Sequence, residues 1–131
     1  MPNSPIPVLH VCTTCRTGLP LEEGQTAPGQ TMHAAVAALL RANPVAELRE
    51  VACLSSCDHG CAAAISAPGK WTYLLGRLTP ALAPDLLAYA ALYAAARTGT
   101  VLPSKRPASL ARMVLGRVPD LAPPAQQELA A

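Results

Sequence analysis

The sequence contains no phenylalanine, and its aromatic side chains are limited to one tryptophan and three tyrosines. A core must therefore be built mostly from small aliphatic residues, with Trp71 and the tyrosines as its largest members. The chain also lacks a strong excess of one charge, since its net charge is +2, which does not by itself indicate a nucleic-acid partner. Its 131 residues fit one domain that is large enough to bury a core.

Long apolar stretches are absent as well. The longest run, LLAYAALYAAA at residues 86–96, is much shorter than the roughly 20 residues of a membrane-spanning helix. The first residues, MPNSPIPV, have no basic start and contain no apolar stretch, so no signal peptide is expected. We therefore expect a cytoplasmic protein without membrane attachment, in which clustered thiols indicate metal binding or catalysis more than structural disulfides.

Cysteine is missing everywhere except in two short segments. HVCTTCRTG (residues 10–18) and ACLSSCDHGC (residues 52–61) together hold all five cysteines, which are Cys12, Cys15, Cys53, Cys57 and Cys61. Four thiolates can hold a zinc ion or a [2Fe–2S] cluster, and spacing alone favours these two about equally. A redox dithiol of Cys12 and Cys15 is a third hypothesis, although the residues after Cys15 resemble a loop more than the helix start that would activate a thiol.

The remaining pattern predicts, in order, a strand, a helix, a strand, a hairpin and a helix. The first strand covers residues 5–12, and Thr31 is the predicted N-cap of the helix that follows. Residues 45–53 form the second strand, and a turn at Pro68 separates the two strands of the hairpin. The second helix lies within residues 79–99, with Pro84 in its first turn and Gly99 as its C-terminal cap.

A strand–helix–strand unit predicts a parallel pair with a right-handed crossover, and the hairpin adds antiparallel strands. The expected fold class is therefore α/β and thioredoxin-like, with a mixed sheet of about four strands and helices packed on it. This domain covers residues 1–99, and residues 100–131 are a basic, proline-rich C-terminal extension in which residues 108–118 are expected to form a short helix. Because both cysteine segments directly follow strands, we expect them to meet at one end of the sheet.

The two cysteine segments also carry a resemblance to a known family. HVCTT, followed after a helix by ACLSSCDHGCAAAISAPGKWTYLLGRLTP, resembles the thioredoxin-like [2Fe–2S] ferredoxins and the related small subunit of NADH:quinone oxidoreductase. Cys12, Cys53 and Cys57 fall on three ligand positions of that family. The end of the chain, GTVLPSKRPASLARMVLGRVP, is similar to an uncharacterised, predicted metal-binding family of the same group, whose genes often lie near cobalamin-biosynthesis genes.

The resemblance implies a [2Fe–2S] cluster in a one-electron carrier that serves cobalamin biosynthesis or another metal-cofactor pathway. Cys12, Cys15, Cys53 and Cys57 are the expected ligands, and Cys61, which stands where many relatives have proline, is the alternative to Cys15. Cys15 also lies closer to Cys12 than the second family cysteine usually does. Zinc or cobalt binding and delivery remains an alternative function.

We expect a redox partner protein and no nucleic-acid partner. A homodimer is also expected, in part because Trp71, Tyr73 and Leu75 form an apolar face on the hairpin. No nucleophile is accompanied by a histidine and a carboxylate at a recognisable spacing, so the sequence does not indicate an enzyme.

Overall fold

The computed structural model describes residues 6–14, 23–54 and 60–120. Within these residues the chain forms five strands and two α-helices: β1 (Val8–Cys12), α1 (Pro28–Ala42), β2 (Glu47–Val51), β3 (Cys61–Ser66), β4 (Thr72–Leu78), α2 (Ala83–Ala95) and β5 (Val114–Val118). Short 3₁₀ turns occupy Pro80–Leu82, Pro103–Lys105 and Ala108–Leu110.

The strands form one mixed sheet in the order β2-β1-β3-β4-β5. Strands β1 and β2 are parallel, and every other neighbouring pair is antiparallel. This arrangement confirms the predicted parallel pair joined by a helix, the hairpin of β3 and β4, and the thioredoxin-like fold class.

The short helix expected near the end of the chain is wrong, and the sheet has one strand more than the roughly four expected. Residues 108–118 do not form a helix, and the sheet has five strands because this segment supplies β5 at its edge. Val114 pairs with Leu75, and Gly116 pairs with Leu74 across the β4–β5 ladder. A glycine inside a helix costs about 1 kcal/mol relative to alanine, whereas the open edge of β4 offers hydrogen bonds to an extended strand.

The start of α1 and the end of α2 differ from their predicted positions. Helix α1 begins at Pro28 with Ala27 as its N-cap, four residues before the predicted N-cap Thr31, because proline suits a first helical turn. Helix α2 begins with Pro84 in its first turn, as predicted, but it ends at Ala95. Gly99 instead lies in the turn beyond, with a φ of +80°, and a Cβ there would lie 2.7 Å from the ring of Tyr93.

The hydrophobic core lies between one face of the sheet and the two helices. Tyr73 of β4 meets Tyr89 and Tyr93 of α2 edge to face, with ring centroids 6.2 and 6.3 Å apart. This cluster gives the core its largest side chains, as a chain without phenylalanine requires. Of the apolar hairpin face that was expected to form a homodimer, Tyr73 and Leu75 are buried, at 1% and 0% exposed, and Trp71 is half-buried.

Because most of this apolar face is buried within the domain, it gives little support to the expected homodimer, which stays a prediction. Among the described residues, no helix combines the length and apolar character that crossing a membrane requires.

Candidate functional site

The two cysteine segments begin side by side at one end of the sheet. Strands β1 and β2 run parallel with Cys12 opposite Val51, so the chain leaves both strands at the same end of the sheet. Beyond the strands, the backbone N–H of Thr13 donates to the carbonyl of Val51 at 2.8 Å. The Thr14 hydroxyl donates to the carbonyl of Ala52, which holds the two segments together one residue further on. The expected meeting of the segments is confirmed for these residues.

Two of the expected ligands, Cys12 and Cys53, lie at these adjacent strand ends. Cys12 is 3% exposed, and its Sγ donates a weak hydrogen bond of 3.5 Å to the carbonyl of Ala52. Cys53 is the residue after Ala52 and is exposed. The pair therefore places one thiol against the core and the other at the surface.

The other two expected ligands, Cys15 and Cys57, lie outside the described residues. Within residues 6–14, 23–54 and 60–120, no group of three histidine, cysteine, aspartate or glutamate side chains is arranged to hold a metal ion. The four-cysteine ligand set therefore stays a prediction. The donors at the strand ends are thiols, which are suitable ligands for zinc and for iron–sulfur clusters.

Cys61 is the first residue of β3 and is completely buried. Since β3 runs antiparallel to β1, with Ala63 opposite Val11, its first residue lies at the sheet end where β1 finishes. All three described cysteines thus lie near this end, and Cys61 forms part of the hydrophobic core. Its burial does not decide whether it or Cys15 is the fourth ligand.

A close backbone contact marks the point where the chain re-enters the sheet after the second cysteine segment. Gly60 has a φ of +73°, and a Cβ built on it would lie 3.1 Å from the Cα of Arg77 in β4. Arg77 has a φ of +56°, a left-handed conformation that non-glycine residues rarely adopt. The pairing of β3 with β4 changes register between Cys61 and Ala63, so the contact accompanies a bulge.

Sequence reasoning did not identify this contact. The glycine directly before Cys61 was a visible signal of an unusual backbone, whereas no local pattern around Arg77 indicates a left-handed residue inside a strand.

His10, two residues before Cys12, makes a hydrogen bond within the sheet. Its Nε2 lies 3.4 Å from the hydroxyl of Ser66 on the neighbouring strand. Burial lowers the pKa of His10 and the charge of Arg49 lowers it further, while Glu47 acts in the opposite direction. The imidazole is therefore neutral at pH 7 and serves as a cross-strand hydrogen-bonding group.

Comparison with solved structures shows what this arrangement resembles. The structure is similar to that of a thioredoxin-like [2Fe-2S] ferredoxin from Aquifex aeolicus, with a TM-score of 0.55 and 14% sequence identity. The similarity covers 91% of this chain and 96% of the Aquifex chain, and at this identity it establishes the fold. No curated protein matches the chain. A family model described as a protein of unknown function (DUF1636) matches residues 9–120, a range that includes both cysteine segments and β5.

Proposed function

This chain belongs to the DUF1636 family of proteins of unknown function, and we propose that it binds one [2Fe–2S] cluster and acts as a one-electron carrier. The observation that carries the proposal is the hydrogen-bonded junction of the two cysteine segments, where Thr13 meets Val51 and Cys12 lies beside Ala52. A [2Fe–2S] cluster needs four thiolates, and two loops that emerge together from parallel strands can supply two each.

Cys12 and Cys53 would provide two of the thiolates from the described strand ends, and Cys15 and Cys57 would complete the set. The bound cluster supplies reversible one-electron chemistry. The residues of the chain hold it: the backbone of β1 and β2 fixes the two segments, and the core around Cys12 excludes water from one side. The exposure of Cys53 favours a site that a redox partner protein can approach from the other side.

We also propose that the protein carries electrons in the cytoplasm and catalyses no reaction of its own. The link to cobalamin biosynthesis has no support in the comparisons and stays a prediction from the resemblance alone.

The test is to purify the protein without oxygen and measure its absorption spectrum, its iron and sulfide content, and its electron paramagnetic resonance after reduction. We expect a red-brown protein with two irons per chain, a stoichiometry set by the cluster type. Cys53→Ala should lose iron and colour because one iron is left one thiolate short. A colourless protein with stoichiometric zinc would support zinc binding instead, and a wild-type spectrum in Cys53→Ala would refute the ligand assignment.

A further inference from the structure

A small pocket lies at the opposite end of β4 from the cysteine segments. Its volume is about 210 Å³, and its polar lining comes from Tyr73, Thr100, Arg106 and Arg117, with residues 101–103 completing the wall. Tyr73 lies five residues before Leu78, the partner of Cys61, so about 16 Å of strand separates the pocket from the cysteine end. The pocket is therefore a separate site that does not depend on the proposed cluster.

Arg106 is held in place by the chain that surrounds the pocket. Its Nε and Nη1 donate to the carbonyls of Val101 and Ala111, both at 2.9 Å. A guanidinium group has five N–H donors, so these bonds leave others available at the pocket. Because the side chain is already ordered, a ligand that binds it loses little additional conformational entropy.

Arg117 is positioned from the neighbouring strand. Its Cζ lies 4.1 Å from the centroid of the Trp71 ring, which is within the range of a cation–π contact. Its Nη1 donates a long hydrogen bond of 3.5 Å to the hydroxyl of Tyr73. The described residues that line the pocket therefore bring together two guanidinium groups and no carboxylate.

The hydroxyl groups of the lining add hydrogen-bond donors to these charges. The Tyr73 hydroxyl accepts a hydrogen bond from Arg117, and the Thr100 hydroxyl accepts one of 3.2 Å from the Thr98 hydroxyl. The O–H groups of Tyr73 and Thr100 can therefore still donate to a ligand. Burial raises the pKa of Tyr89 to about 12, and the charge of Arg106 acts against this rise, which places that guanidinium close to the phenol.

We propose that this pocket binds a tetrahedral oxyanion, namely phosphate, either free or as the terminal group of a small organic phosphate. Two arginines, a tyrosine and a threonine line the pocket and supply several N–H and O–H donors, which suits an anion whose oxygens all accept hydrogen bonds. The volume corresponds to roughly seven water molecules at about 30 Å³ each. It is smaller than the ~300–1,000 Å³ of pockets for drug-sized ligands, so it suits a phosphoryl group better than a whole nucleotide.

The test is calorimetric titration of the full-length protein with inorganic phosphate and, separately, with glycerol phosphate, at constant ionic strength. We expect saturable one-site binding of at least one of them, and whichever binds more tightly identifies the source of the phosphoryl group. Arg117→Gln should weaken this binding roughly ten-fold or more, because a charge-assisted hydrogen bond is lost. Arg117→Lys keeps the charge but loses the planar guanidinium, so its affinity should lie between those of the wild type and Arg117→Gln.

Arg112→Gln is the matched control, since Arg112 is an exposed arginine of the same segment that does not line the pocket. Emission from Trp71, the single tryptophan, provides a second measurement because Arg117 stacks on its ring. The proposal is overturned if neither ligand binds below about 10 mM. It is also overturned if Arg112→Gln weakens binding as much as Arg117→Gln does, since the anion would then sense only the general charge of the surface.

Discussion

Replacing Gly60 by alanine tests whether the backbone contact beside the cysteines supports the site. At a φ of +73°, alanine destabilises the folded state by about 1–2 kcal/mol from conformation alone. Its Cβ would also lie 3.1 Å from the Cα of Arg77, a backbone atom that cannot move aside as a side-chain end can. Crowding of this kind adds on the order of 1 kcal/mol. We therefore expect Gly60→Ala to lower the free energy of unfolding by about 2–3 kcal/mol, out of a total of ~5–15 kcal/mol.

Gly69→Ala is the matched control for this prediction. Gly69 has nearly the same φ, +76°, but a Cβ there would have no neighbour within 4 Å. It lies in the turn between β3 and β4, away from the cysteine end of the hairpin. The difference between the two variants therefore isolates the contact with Arg77 from the conformational cost that both alanines share.

The assay is urea unfolding of both variants, combined with cluster content from visible absorption per chain. We expect Gly60→Ala to be the less stable variant and to retain less cluster, whereas Gly69→Ala should keep its cluster content. The expected difference of about 1 kcal/mol corresponds to a roughly five-fold change in an equilibrium constant, so the effect is measurable. Equal stabilities and equal cluster contents in the two variants would refute the reasoning, because the crowding at Arg77 would then have no consequence.

Three further predictions concern substitutions of cysteine, glycine and histidine. If Cys15 is the fourth ligand, Cys61→Ser should keep the absorption and paramagnetic resonance of the cluster while Cys15→Ser shifts both, and the opposite pattern would assign Cys61 as the ligand. Gly99→Ala should lower the free energy of unfolding by about 2 kcal/mol or more in a urea titration, because a φ of +80° and a 2.7 Å approach to the Tyr93 ring both oppose a Cβ. Since the folded-state pKa of His10 is lowered, its contribution is present at neutral pH and is lost as the pH falls below the unfolded value of about 6.5. His10→Asn should therefore lose less stability than the wild type between pH 7 and pH 5, measured by thermal unfolding, and an unchanged pH profile would contradict this account.

Local patterns in the sequence determined the order of the main elements and the position of the cysteines after strands. Short β-branched runs, proline and glycine at Pro68 and Gly69, and Pro84 at a helix start are signals that act within a few residues. In that order, the strand–helix–strand unit predicts the parallel pair β1–β2, and this pair brings Cys12 and Cys53 to one end of the sheet.

Tertiary structure alone decided the features that depend on distant partners. Residues 114–118 form a strand because β4 offers an open edge. Tyr73 is buried against the tyrosines of α2. Gly60 contacts the left-handed Arg77 at a bulge between β3 and β4. In each case the deciding interaction joins residues far apart in the chain, whereas local propensity separates helix from strand by only ~1 kcal/mol or less. The pocket between Arg106 and Arg117 arises in the same way, since packing of the last described segment against β4 creates it.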